Sequence, residues 1–221
     1  MDSSTLLYRL ASGGREVYPV FVDYGQAQAK LVVKLVTRLI QDCWGRGYKN
    51  VHPLHVEPFQ FAASMIDGSP LFKKNYRPTK RGSQSIHNAA EKKSLGWIQC
   101  RNLMILSVCA AYAGRLKADL YTGHVRNDPD EKGRANEGIP DTSVEFLNAL
   151  MDVWEYSLDP QVRLVSPFIE EGSGKSAVLQ EARARGVPLQ YTTSCDYYPP
   201  CGKCGACVQA RGLGIKQWRG L

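Results

Sequence analysis

Apolar positions fall into short runs of two kinds. Thr5-Leu6-Leu7-Tyr8-Arg9-Leu10-Ala11 places Leu6, Leu7 and Leu10 on one helical face, and Ser12-Gly13-Gly14 ends that pattern as a glycine stop. Val17 to Val22 is a compact β-branched and aromatic run that closes in Asp23-Tyr24-Gly25-Gln26, the pattern of a buried strand leaving into a loop. Ala27 to Trp44 returns to helical spacing with a stripe of Leu31, Val32, Leu35, Leu39 and Ile40, and Val51 to Val56 predicts the next strand. Residues 66 to 90, rich in Pro, Gly, Ser and Lys, predict a long, partly ordered loop. Further on, the pattern predicts a helix over Trp97 to Leu116, a strand over Ala118 to Gly123 and a polar insertion from Asn127 to Gly138. A helix over Thr142 to Tyr156, a strand over Arg163 to Phe168 and a helix over Ser173 to Arg185 follow.

Strands alternating with helices predict an α/β fold with a parallel, doubly wound sheet. In such sheets ligands sit at the carboxyl ends of the strands. The polar strand exits, Asp23 to Gln26, Gly123-His124 and Ser166-Pro167, should therefore line one edge.

Composition changes this picture little. The 221 residues are 43% hydrophobic and 22% charged, which excludes a disordered tail, a collagen-like chain and a rod. The longest apolar run, Leu103 to Ala113, is too short to cross a membrane. Met1-Asp2-Ser3-Ser4 lacks the basic-then-apolar order of a signal peptide, so a reducing cytoplasm is expected. The net charge of +7 has two readings, a solvated basic surface or an anionic ligand such as a nucleotide or nucleic acid. Its densest cluster is Lys73, Lys74, Arg77, Lys80 and Arg81.

The strongest local signal is Cys195, Cys201, Cys204 and Cys207, spaced C-x5-C-x2-C-x2-C with Gly202 and Gly205 between them. Four thiolates so close together suit a tetrahedral Zn2+ with no open position, hence a structural ion; an iron–sulfur cluster is the rival. Cys43, Cys100 and Cys109 lie in apolar helical contexts and are expected to be packed residues. Lys203, Arg211, Lys216 and Arg219 near the knuckle raise a second class, a nucleic-acid-binding module, which the large α/β body argues against.

Asp2-Ser3-Ser4-Thr5 opening a helix reads as a cap with hydroxyls on its first turn, or as an anion site. Met1 to Leu7 resembles the second half of the Ser-Gly-Gly-x-Asp-Ser-(Ser/Thr) loop of enzymes that split ATP to pyrophosphate. Asp23-Tyr24-Gly25-Gln26, Arg101-Asn102-Leu103, Pro140-Asp141 with Phe146, Lys175 and Thr193-Ser194-Cys195 resemble, in order, the motifs of one branch of them. That branch is the 7-cyano-7-deazaguanine synthase family of queuosine and archaeosine precursor synthesis, within the PP-loop superfamily. The likeness runs over essentially the whole chain. It implies residues 1-190 as a PP-loop α/β domain and 191-221 as a zinc-binding segment.

The sequence departs from the family in places. It begins at the variable residue of the loop, without the preceding strand and Ser-Gly-Gly, which points to a start codon assigned too late or a shortened chain with weakened ATP binding. Ser12-Gly13-Gly14 is not a substitute, since it ends a helix. Ala27-Gln28 stands where the family has Arg-His, Cys100 where it has Gly, and Thr142-Ser143 where it has Cys-Arg.

The resemblance implies ATP- and ammonia-dependent conversion of 7-carboxy-7-deazaguanine to the nitrile through adenylated intermediates, with Mg2+ on the pyrophosphate. Asp2, Ser3 and Ser4 would hold the pyrophosphate, Asp2 reaching Mg2+ through water, and Tyr24, Gly25, Gln26 and Gly123 would border the nucleotide. Arg101 would meet the substrate carboxylate or a phosphate, and Lys175 would neutralise the leaving group. Asn102, Asp128 and Asp141 would bind the substrate, Asp128 and Asp141 through its guanine-like edge, while His87 and His124 are lone histidines and minor candidates. The partner is thus a small molecule rather than nucleic acid or membrane, and a homodimer is left open. Alternatives are a related enzyme adenylating or thiolating tRNA, a phage or defence-system relative with another substrate, and a degenerate non-catalytic homologue.

Overall fold

The computed structural model describes residues 1–61, 69–72, 87–88, 93–94, 98, 100–125, 140–159, 161–195 and 197–215. They form an α/β chain with parallel strand pairs. Contacts divide it into two units, Met1 with Leu10–Gln99 and Pro188–Leu221, and Asp2–Arg9 with Cys100–Val187. Helix α1 (Asp2–Ser12) is divided between them.

In the first unit, β1 (Val20–Asp23) runs parallel to β2 (His55–Pro58), with Val20 opposite His55 and Asp23 opposite Pro58. A bridge between Val17 and Val51 opens the ribbon. The predicted runs from Val17 and from Val51 therefore pair with each other, but regular pairing starts about three residues late. Helix α2 (Ala29–Gly45) buries Leu31, Leu35, Leu39, Ile40 and Cys43, while Val32 is only partly buried. Ser12-Gly13-Gly14 stops α1 as expected: the Gly14 amide donates to Ala11 O and the Arg15 amide to Leu10 O. The Asn50 side chain then donates to the carbonyls of Ala11 and Arg15, at 3.0 and 2.5 Å. Short strands β3 (His87–Asn88) and β4 (Lys93–Ser94) pair antiparallel inside and just past the segment expected as loop. The basic cluster at 73–81, the insertion at 127–138, Lys216 and Arg219 lie outside the described residues.

In the second unit, α3 (Arg101–Leu116) starts later than its apolar run implied, and Cys100 just before it has φ +57°. Strands β5 (Leu120–Tyr121) and β6 (Leu164–Val165) are parallel, Leu120 opposite Leu164. The strand expected to reach Phe168 stops at Val165. Pro167 has no amide hydrogen to offer a ladder, and its fixed φ opens helix α5 (Pro167–Glu170). Helix α4 (Val144–Ser157) is capped by Ser143, whose Oγ accepts from the Phe146 amide at 3.1 Å. Helix α6 (Lys175–Ala184) follows. Leu106, Ala110, Ala113, Leu147, Leu150, Trp154 and Ile169 make the core of this unit.

One ion-pair network fixes α1 beside α6. Arg9 donates to both oxygens of Glu181 and, at 2.6 and 3.0 Å, to Glu171, and its guanidinium stacks 4.8 Å above the Phe168 ring. Arg185 also donates to Glu181 at 2.7 Å. Burial draws the Glu181 pKa upward, but the hydrogen bonds from Arg9 and Arg185 outweigh it and leave it below its ordinary value.

Candidate active site and metal centre

The four cysteines converge as their spacing predicts. Their sulfurs all lie within 4.8 Å of one another, with Cys195 Sγ 3.6 Å from Cys201 Sγ and 3.9 Å from Cys204 Sγ. Backbone amides of Tyr197 and Cys201 point at Cys195 Sγ, and those of Lys203 and Cys204 at Cys201 Sγ, over 3.2–3.4 Å. Such amides favour thiolate sulfur, as a metal requires. Cys204 begins the turn into helix α7 (Gly205–Gly212), and Arg211 donates back to Gly202 O at 2.6 Å. Hydrogen bonds from the Cys195 and Cys207 thiols push the Cys204 pKa down to about 2; the same shared protons, with burial, push Cys195 up. A divalent metal bound at the four sulfurs would hold them as thiolates. Cys195, Cys204 and Cys207 are buried with Leu71, Ile98 and Tyr197. Of the other cysteines, Cys43 is buried as expected and Cys109 partly so; Cys100 is exposed, because it lies before the helix rather than within it.

The Asp23–Gln26 loop leaves β1 in a self-bonded turn. Gln26 is buried: its Oε1 accepts from the Tyr24 amide at 2.8 Å and its Nε2 donates to Val22 O at 3.2 Å. Asp23 Oδ1 accepts from the Gly25 amide at 3.0 Å, and Gly25 has φ +84°, a conformation open to glycine at little cost. Tyr24 packs edge-on against Phe61 and Phe72 and joins the apolar shell of the cysteines. Gln26 thus shapes the loop, and Tyr24 ties it to the metal centre's core.

The second unit assembles the other candidates around the start of α1. Lys175, the first residue of α6, pairs through Nζ with Asp2 Oδ2, and Asp2 Oδ1 is buried with no hydrogen-bond partner among the described residues. Gly123 follows β5 and lies against the same helix start. A Cβ built on it would fall 2.7 Å from Ser3 N and 2.9 Å from Ser3 Cα, so only glycine fits. Ser3 is exposed and Ser4 partly buried in that first turn, whose unpaired amides give it a positive end. Asn102, in the first turn of α3, donates to Asp141 O at 3.2 Å, and Asp141 Oδ1 is a second buried oxygen without a partner among the described residues. Arg101 opens α3, partly buried, with no hydrogen bond or ion pair to another described residue.

Lys175, Asp2, Ser3 and Gly123 are thereby brought together, as are Asn102 and Asp141. Asp128 and the side chain of His87 lie outside the described residues. His124, a minor candidate from sequence, sits beside the Asp2, Lys175 and Asp141 groups. Burial pushes its pKa down, and the charges of Asp141, Lys175 and Asp2 all act on it. Thr122, Ser166 and Glu181 were missed, since a lone hydroxyl or surface carboxylate carries no signal without its partner.

An α/β enzyme with a positively ended helix start beside a lysine–aspartate pair, and a four-thiolate centre that could hold a metal, belongs to the ATP-dependent PP-loop class. The family model described as queuosine biosynthesis protein QueC matches residues 1–218, and the chain belongs to that family. It is 25% identical to the 7-cyano-7-deazaguanine synthase of Methanococcus aeolicus, over 96% of this chain and 89% of that protein. Against the synthases of Pyrococcus abyssi and Campylobacter hominis identity is 28% and 29%, covering 96% and 100% of this chain and 88% and 91% of those proteins.

Proposed function

We propose that this chain makes 7-cyano-7-deazaguanine from 7-carboxy-7-deazaguanine, ammonia and ATP on a doubly wound α/β body. The observation that carries the reading is the Asp2–Lys175 pair at the start of α1, closed from the β5 side by the bare Cα of Gly123. A carboxylate is a poor electrophile because its leaving group would be oxide; adenylation replaces that with AMP. Ammonia then gives an amide, a second adenylation activates the amide oxygen, and its loss leaves the nitrile. Asp2, Ser3 and Ser4 hold the pyrophosphate on the helix start, Lys175 neutralises the charge that builds on it, and Arg101 meets the substrate carboxylate or a phosphate. The orphaned Asp2 Oδ1 fits a magnesium-bound water; bound Mg2+ would shield the pyrophosphate's charge. Tyr24 and Gly25 border the nucleotide, and Asn102, Asp128 and Asp141 the base-like edge.

We take the metal at the cysteines to be zinc. Four sulfurs about 2.3 Å from one zinc stand about 3.8 Å apart, matching the 3.6 and 3.9 Å separations, whereas a multinuclear iron–sulfur cluster needs its thiolates spread wider.

The test is incubation with 7-carboxy-7-deazaguanine, ATP and ammonia, using the 221-residue chain and one carrying the family's strand and Ser-Gly-Gly ahead of Met1. Nitrile, AMP and pyrophosphate are expected, with one zinc per chain by elemental analysis. No product from either chain would overturn the substrate assignment, and an intense visible absorption band would replace zinc by iron.

A further inference from the structure

Gly123 has no side chain because the first peptides of α1 occupy that space, so the residue after it is delivered beside the helix start. That residue is His124. Two hydrogen bonds fix it: Thr122 Oγ1 is 2.8 Å from Nδ1, and Ser166 Oγ donates to the His124 carbonyl at 3.4 Å. Among the described residues, the ring's one hydrogen bond is the Nδ1 contact to Thr122. Three charged groups act on the ring from three elements: Asp141 from the turn before α4, Lys175 from α6 and Asp2 from α1. All three are residues of the site described above. Burial, helped by Lys175, outweighs the two carboxylates and holds the imidazole below its ordinary value of 6.5, so the ring is neutral at pH 7. A neutral, hydrogen-bond-oriented imidazole whose other nitrogen is bonded to none of the described residues is equipped to take a proton.

We propose that His124 is the proton acceptor of the amide-forming step: its Nδ1–H is donated to Thr122 Oγ1, and its Nε2 lone pair faces the ammonia. The inference rests on the deazaguanine reading and deepens it. Ammonia's lone pair forms the new C–N bond, the carbonyl C–O bond to the adenylyl group breaks, and AMP leaves with that electron pair. The surplus proton on nitrogen passes to Nε2, giving the neutral amide, AMP and an imidazolium that returns its proton to solvent. In the second round the amide oxygen attacks the α-phosphorus of ATP, pyrophosphate leaves, and the nitrogen sheds one proton to solvent, so the adenylated imidate has one N–H left. Nε2 takes that proton as the C–O bond breaks again, leaving the nitrile and AMP. Thr122 is a positioning residue: in the proposed tautomer its hydroxyl accepts from Nδ1–H and orients the ring.

Two partial reactions separate this proposal from its premise. Exchange of labelled pyrophosphate into ATP, dependent on 7-carboxy-7-deazaguanine, needs no ammonia and reads adenylation alone. Formation of amide and nitrile, with free ammonia held constant across pH, reads the proposed step. In whichever chain supports turnover, His124→Gln should keep exchange within about threefold and slow amide formation by roughly a hundredfold or more. The wild-type rate should fall as pH drops below 6.5, through the lowered His124 value, and that limb should vanish in the variant. Thr122→Val should slow the same step, and Thr122→Ser should restore it. His124→Gln forming amide at the wild-type rate, or losing exchange as severely as amide formation, would overturn the proposal. Absence of exchange in both the 221-residue chain and the extended chain would overturn the deazaguanine reading itself, and this inference with it.

Discussion

The metal centre and the α1 site are built on opposite plans. The cysteine centre is local: four ligands fall between residues 195 and 207, and neighbouring amides aim at their sulfurs. The α1 site is dispersed: Asp2, Gly123, Asp141 and Lys175 are brought together only by folding. A local site of this kind would draw its stability from a bound metal ion, which four neighbouring thiolates need to offset their mutual charge. A dispersed site draws it from the packing around it, here the Arg9 network and the Gly123 contact. The two should therefore fail separately.

The largest effect is expected at the metal. Cys204→Ala removes a fully buried sulfur from the four-cysteine cluster, and structural zinc supplies on the order of 10 kcal/mol to its own segment. The variant should bind no stoichiometric zinc and melt far below the wild type, and chelation of the wild-type protein should do the same. Full metal content with an unchanged melting curve would remove the centre from the comparison.

Next comes Gly123→Ala. Its Cβ would sit 2.7 Å from the backbone nitrogen of Ser3, so the start of α1 must shift. Overpacking of this kind costs about 2 kcal/mol, and displacing the pyrophosphate cradle by a fraction of an ångström should lower adenylation roughly a hundredfold. Zinc content should stay at one per chain. Loss of metal together with activity would show that the two sites are not independent.

These contrasts follow what could be read from the chain. The convergence of the four cysteines was legible, because metal geometry constrains spacing within one short segment. The helix stop at Ser12-Gly13-Gly14 and the buried stripe of α2 were equally legible, since both rest on local rules. The dispersed site was reached through motif order, which pointed to Asp2, Gly123 and Lys175 but not to their contacts. His124 looked like any lone histidine, as its meaning depends on Thr122, Ser166 and three remote charges. The strand at 163–168 was drawn too long because hydrophobicity outweighed Pro167, which the backbone cannot ignore.

A smaller effect tests the packing that holds α1. Glu181 has a depressed folded-state value, so its pairing with Arg9 and Arg185 contributes stability above the ordinary 4.5 and loses it as pH falls through the folded value. Glu181→Gln should cost about 1–2 kcal/mol at pH 7, and chemical denaturation should show its stability falling less than the wild type's between pH 5 and pH 3. Identical pH slopes would mean that Arg9 holds α1 through Glu171 and Phe168 alone.

The smallest effect concerns Cys100. Its φ of +57° puts an L-residue in the left-handed region immediately before Arg101, at the position where the resemblance expects glycine. A Cβ there costs about 1–2 kcal/mol, and glycine recovers that while giving back about 0.4–1 kcal/mol through its freer unfolded chain. Cys100→Gly should therefore stabilise the protein by about 0.5 kcal/mol, a melting shift of a degree or two. Cys100→Ala retains the Cβ and should gain nothing, which separates backbone strain from removal of an exposed thiol. Equal gains from both variants would place the benefit in the sulfur. A gain from glycine alone would show that the start of α3, which carries Arg101 and Asn102 toward the dispersed site, is held against its own backbone preference.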